Sequence, residues 1–86
     1  MNIQAEVSLY PLRAEHIGPV IECFVAGLRD RGVAVEPGPM STRIRGECAE
    51  LFAALGESFA AVAGDGQVVL SATVSNACPD AARGGS

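Results

Sequence analysis

The chain has 86 residues, 49% of them hydrophobic and 5% aromatic, and carries a formal net charge of -4. That length holds one small domain with a modest core, so self-association is expected to complete it. All six basic residues are arginine and ten residues are acidic, which leaves no basic patch able to neutralise a row of phosphates and excludes nucleic acid as an expected partner.

Residues 3–10 alternate, with Ile3, Ala5, Val7 and Leu9 on one side and Gln4, Glu6, Ser8 and Tyr10 on the other. This is the pattern of a strand with one face on a core. Pro11 ends it, and Gly18-Pro19 stands near the start of a helical stripe in which Ile17, Val20, Ile21, Phe24, Val25 and Leu28 recur at three- and four-residue spacing. Gly32 is a natural stop for that helix. Val33 and Val35 predict a short strand, Pro37-Gly38-Pro39 a turn, and residues 40–45 a central strand with Met40, Thr42 and Ile44 on one face and Ser41, Arg43 and Arg45 on the other. Gly46-Glu47 breaks it. Leu51, Phe52, Leu55, Phe59 and Val62 then mark a second, alanine-rich helix, which Gly64-Asp65-Gly66 closes. Val68, Leu70, Ala72 and Val74 alternate with Val69, Ser71, Thr73 and Ser75 in a last strand.

The order strand, helix, strand, strand, helix, strand is a ferredoxin-like βαββαβ plan, an α+β fold with a four-stranded antiparallel sheet and both helices on one face. Residues 1–79 are expected to form this single domain and residues 80–86 a disordered tail. The uncovered sheet face carries Gln4, Glu6, Ser8 and Tyr10 from the first strand and Val69, Ser71, Thr73 and Ser75 from the last, mostly small hydroxyls. Such a face can pack on a second sheet, either as a plain dimer interface or with gaps in which hydroxyls, Tyr10 and Glu6 contact a ligand.

Catalytic sets are not evident. His16 is the only histidine, beside the entry to the first helix, where it reads as a solvated or capping residue rather than a base. Cys23, Cys48 and Cys78 are odd in number and form no CxxC pair, which argues against a disulfide framework and a structural zinc site and fits a reducing compartment. The chain opens directly on a strand pattern and holds no run near 20 apolar residues, so a cytoplasmic protein without membrane insertion is expected. An acylphosphatase-like hydrolase is the enzyme reading on this fold plan, with Arg13 and Asn76 in its roles, but Pro11-Leu12-Arg13 stands where that family has a glycine-rich loop.

Three blocks carry a more specific likeness. Val7-Ser8-Leu9-Tyr10-Pro11-Leu12, the run from Gly38 through Met40-Ser41-Thr42 to Glu47, and Thr73-Val74-Ser75-Asn76-Ala77-Cys78-Pro79 resemble, in order, the YkoF-like group of thiamine- and hydroxymethylpyrimidine-binding proteins. The resemblance implies a ferredoxin-like domain whose sheet packs on another copy, here a homodimer or homotetramer, and a non-catalytic protein of thiamine salvage or transport. The matching positions are Tyr10, Ser41, Thr42, Ser75 and Asn76. For such a ligand Tyr10 can stack on a ring or a cation, Ser8, Ser41, Thr42 and Thr73 can read the pyrimidine nitrogens, and Glu6 can balance the positive charge or accept from the amino group. No cofactor is expected. The alternative is a structural or regulatory oligomer of the same fold without this ligand.

Overall fold

The computed structural model describes residues 1–13, 16–64 and 66–77. In chain order these form β1 (Asn2–Pro11), α1 (Ile17–Asp30), β2 (Ala34–Pro37), β3 (Thr42–Glu47), α2 (Cys48–Ala63) and β4 (Val68–Ser75). The sheet is antiparallel with strand order β2-β3-β1-β4, so each helix crosses over a strand that lies between the two it connects. This is the expected ferredoxin-like arrangement.

Burial follows the alternation in β1. Ile3, Ala5, Val7 and Leu9 point into a core shared with Ile44 of β3, Phe24 and Leu28 of α1, and Leu51, Ala54, Leu55 and Val62 of α2. Both helices therefore cover one face of the sheet. The α1 stripe ends in a Schellman turn: Gly32 takes φ +85°, its N–H donates to Arg29 O at 3.0 Å, and the Val33 N–H donates to Leu28 O at 3.2 Å. Glycine reaches that backbone conformation without a Cβ clash, and the flanking Val33 and Leu28 are both buried. At the start of α2, Glu47 caps the helix, its Oε1 accepting from Ala49 N–H at 2.9 Å and Glu50 N–H at 3.2 Å. These donors, the Glu50 amide first, hold the Glu47 carboxyl below its ordinary pKa against the opposing cost of desolvation.

The helices meet closely at Gly27, where an added Cβ would lie 3.0 Å from Ser58 Oγ. Ser58 is almost fully buried, and its hydroxyl has no hydrogen-bond partner. An orphaned buried hydroxyl costs about 1–3 kcal/mol. Ser58→Ala removes it while keeping the close approach, and is expected to raise the melting temperature by about 5 °C, roughly the equivalent of 1 kcal/mol in a domain this size. A lower melting temperature in a thermal denaturation would show that the hydroxyl holds a stabilising bond.

Three details differ from the sequence pattern. The central strand starts at Thr42 rather than Met40 and runs on to Glu47, because the Gly38 N–H donates to Ser41 O at 2.9 Å and folds residues 38–41 into a turn. Met40 is consequently 87% exposed. The short strand before it is displaced to Ala34–Pro37, since Val33 is taken up in the α1 stop. The uncovered face also has a charged half: β3 lies beside β1 and β2 beyond β3, and they add Arg43, Arg45 and Glu36 to it, with Arg43 opposite both Glu6 and Glu36. Among the described residues no helix is long and apolar enough to cross a membrane. The expected tail, residues 80–86, and Cys78 lie outside the described residues, and Cys23 and Cys48 are free thiols.

Candidate functional site

The site grows from a mismatch in strand length. β3 pairs with β1 only from Asn2↔Glu47 to Val7↔Thr42, whereas β4 follows β1 as far as Pro11↔Val68. Ser8, Leu9 and Tyr10 thus have a strand partner on the β4 side alone. On the other side the Pro37-Gly38-Pro39 sequence diverts the chain into the 38–41 turn. Pro39 withholds a backbone donor on the stretch that would extend β3 along β1, and the turn leaves a gap in the sheet beside Ser8, Leu9 and Tyr10.

Two cavities flank that turn. On the helix side a groove of about 150 Å³ is lined by residues 7–10 of β1, by Ile21, Phe24 and Val25 of α1, and by residues 38–42. Its floor is apolar, and Thr42, directly opposite Val7, brings a hydroxyl to the same side of the sheet. On the open face a cleft of about 320 Å³ is lined by Glu6, Glu36, Arg43 and residues 37–41. Ser41 Oγ donates to Glu6 Oε2 at 3.2 Å, and Arg43 Nη1 pairs with Glu36 Oε1 at 3.3 Å. Two carboxylates against one guanidinium give this cleft a net charge of -1, a setting that favours a cation. Ser8 Oγ points at Met40 O at 3.5 Å, a weak bond that ties the turn to β1.

Of the residues singled out in the sequence, the structure gathers Glu6, Ser8, Tyr10, Ser41 and Thr42 around the gap. Thr73 stands one strand away, opposite Glu6, on the open face. Ser75 and Asn76 fall elsewhere. Ser75 is opposite Gln4, six strand residues or about 20 Å from the level of Tyr10. Its hydroxyl accepts from Ala77 N–H at 2.9 Å, and Asn76 Nδ2 lies 4.0 Å from Met1 Sδ. Ser75 thus shapes a local turn, and within one chain neither residue meets the groove. His16 is the N-cap of α1, makes no side-chain cap bond and is exposed.

The floor residues Ile21, Phe24 and Val25, and the Glu36–Arg43 pair, carry no mark of a site in the sequence. The former belong to an ordinary core stripe, and nothing in its period shows which part abuts a gap. Proline on both sides of Gly38 is the signal that reveals it.

A larger cavity of about 380 Å³ opens where β1 ends, walled by Leu12, Val20, Val62 and Val68 with Arg13 and Gln67 as polar residues. Arg13 has a left-handed backbone, φ +57°. Among the described residues its lining has no hydroxyl or carboxylate, whereas the groove's lining has several hydroxyls for reading a polar heterocycle. Among the described residues no cluster of three His, Cys, Asp or Glu side chains could hold a metal ion.

Comparison with known proteins bears on the fold and the family. A search of curated proteins gives no significant match. The solved structures that resemble the chain include a protein of Streptococcus pneumoniae, with 20% identity over 99% of this chain and 97% of that one and a TM-score of 0.83. A hypothetical protein of Methanocaldococcus jannascii gives 24% identity, 91% and 82% coverage and a TM-score of 0.81. A Thermotoga maritima protein, named as a candidate for thiamine biosynthesis or salvage, gives 18% identity, 86% and 82% coverage and a TM-score of 0.77. At these identities the three establish the fold. The model of the YKOF-related family matches residues 2–81, nearly the whole chain with all three sequence blocks inside it, and the protein belongs to that family.

Proposed function

We propose that the protein binds thiamine, or its hydroxymethylpyrimidine part, without transforming it, at the gap between β1, α1 and the 38–41 turn. The observation that carries this is the gap itself: a strand edge without a strand partner at Ser8–Leu9–Tyr10, facing Thr42 over an apolar floor. An aminopyrimidine is flat and apolar on its faces and has donors and acceptors around its rim. Its faces match Ile21 and Phe24, and its rim matches backbone amide and carbonyl groups and a threonine hydroxyl. The groove's 150 Å³ is well below the usual range of drug-sized sites, so it suits one ring rather than two. The thiazolium of thiamine would extend past the turn to the open-face cleft, where Glu6 and Glu36 supply negative charge, while the ring of Tyr10 in the groove's lining offers a π surface.

A second copy stacked on the uncovered face would enclose that cleft, and the family relationship and the hydroxyl-rich β1–β4 half of the face support such a homo-oligomer. Free thiols at Cys23 and Cys48 support a reducing, cytoplasmic setting. One observation favours a structural oligomer without ligand: Ser41 and Glu6 already satisfy each other.

Calorimetric titration of ligand-free protein with thiamine and with hydroxymethylpyrimidine decides between them. Saturable binding of at least one compound at about 10 µM or tighter is expected, weakened about tenfold by Thr42→Val, the loss of one hydrogen bond. No heat and no rise in melting temperature with either compound would overturn the binding reading.

A further inference from the structure

β4 is an edge strand whose outer side meets no other strand among the described residues. Natural sheets blunt such edges with lysine, proline or a bulge. Val68–Ser75 has no charge and no proline over eight residues, and it pairs with β1 without interruption. Ala72 and Val74 stand opposite the buried Val7 and Ala5, on the helix side of the sheet, yet both are exposed, Val74 by 39%. The helix layer stops short of them.

The neighbouring flank of α2 continues this surface. At 3.6 residues per turn Ala49, Phe52, Gly56, Phe59 and Ala63 share one side of α2. The opposite side faces α1, where Ser58 meets Gly27 and Glu57 pairs with Arg31 at 2.7 Å. The charges of α2 are thereby kept away from the β4 flank, and Phe52 is left 51% exposed on it.

We propose that a second copy of this chain covers that flank by pairing β4 antiparallel with β4 of the partner, giving a continuous eight-stranded sheet with the two α2 helices side by side. Self-complementarity identifies the occupant. Residues directly opposite in an antiparallel pair share a face, so a twofold axis must pass through a residue and not between two. With the axis at Ala72, Leu70 meets Val74 of the partner copy on the helix side, and Ser71 meets Thr73 of the partner copy on the open face. On the helix side apolar residues then lie against apolar ones; on the open face the central pair sets hydroxyl against hydroxyl and the next sets Val69 against Ser75 of the partner copy. No like charges are opposed, and the smallest side chain of the strand sits on the axis. The grooves stay on the far sides of the assembly and the open faces remain free, so this contact is separate from the binding proposed above and from stacking through the open face.

The full chain is tested in two ways. With Cys23, Cys48 and Cys78 replaced by serine, Ala72→Cys is expected to oxidise to a covalent dimer, because Cα atoms across an antiparallel pair lie within disulfide reach, whereas Val74→Cys is not. Ala72→Asp in the otherwise unchanged chain opposes two carboxylates on the axis and is expected to halve the mass measured by light scattering, with the circular dichroism of the folded chain retained. Failure of Ala72→Cys to cross-link, or an unchanged mass for Ala72→Asp, would overturn the proposal. So would a monomer that dimerises only after removal of residues 78–86, since the chain's own C-terminal segment would then be the occupant.

Discussion

Ile44→Ala is expected to destabilise the protein by about 3 kcal/mol, the cost of opening a cavity at the centre of the core. Ile44 is fully buried in β3, where its cross-strand partners on the same face are Ala5 of β1 and Val35 of β2. Alanine on one side means that no large strand neighbour can fill the space that truncation leaves, and the buried Leu51 and Leu28 are held by their own helices. A domain of this size has about 5–10 kcal/mol of stability in all, so the variant is expected to melt about 15 °C lower. Ile44→Val, which removes one methylene, should cost only about 1 kcal/mol. Urea unfolding followed by circular dichroism measures both, and a loss under about 1 kcal/mol for Ile44→Ala would mean that β3 does not sit at the centre of the core.

Gly38→Ala is expected to separate binding from folding. Its added Cβ would lie 2.8 Å from the carbonyl oxygen of Ser41, and backbone cannot rotate out of the way as a flexible side chain can. The Gly38–Ser41 hydrogen bond would break or shift, and with it the turn that walls both the groove and the open-face cleft. Residues 36–40 are all exposed, so the core is untouched. Affinity for hydroxymethylpyrimidine should fall at least about tenfold while the melting temperature moves by only a few degrees, because mispositioning a binding loop costs affinity rather than burial. A variant with unchanged affinity and an unchanged melt would show that the turn plays no part in recognition.

Much of the fold is legible in the sequence because its signals are periodic and local. The alternation in residues 3–10 and the stop at Gly32 act as read, and the α1 stripe buries Phe24 and Leu28 but leaves Ile17 exposed. β4 pairs with β1 face to face as read, yet Ala72 and Val74 stay exposed because the helix layer ends before them. The start of the central strand is misleading by two residues because Met40, Thr42 and Ile44 alternate as a strand would, while the hydrogen bond that folds residues 38–41 into a turn joins backbone groups that no side-chain pattern reveals. The charged half of the open face is hidden for a different reason. Which strands share an edge is decided by the crossovers, so Arg43 beside Glu6 becomes visible only with the register. The site divides in the same way. Glu6, Ser8, Tyr10, Ser41 and Thr42 converge because two of the sequence blocks meet at the gap, whereas Ser75 and Asn76 come from a block that the antiparallel course of β4 carries to the other end of β1.

Amide chemical-shift mapping of the labelled protein during titration with hydroxymethylpyrimidine tests the binding site most directly. A ring in the groove predicts saturable shifts concentrated at residues 8–10, 21–25 and 38–42, with Thr73 affected less and Ser75 and Asn76 unmoved. Shifts centred instead on Leu12, Val20, Val62 and Val68, the larger cavity at the end of β1, or no saturable shifts at any concentration, would contradict the assignment of the gap beside β1 as the binding site.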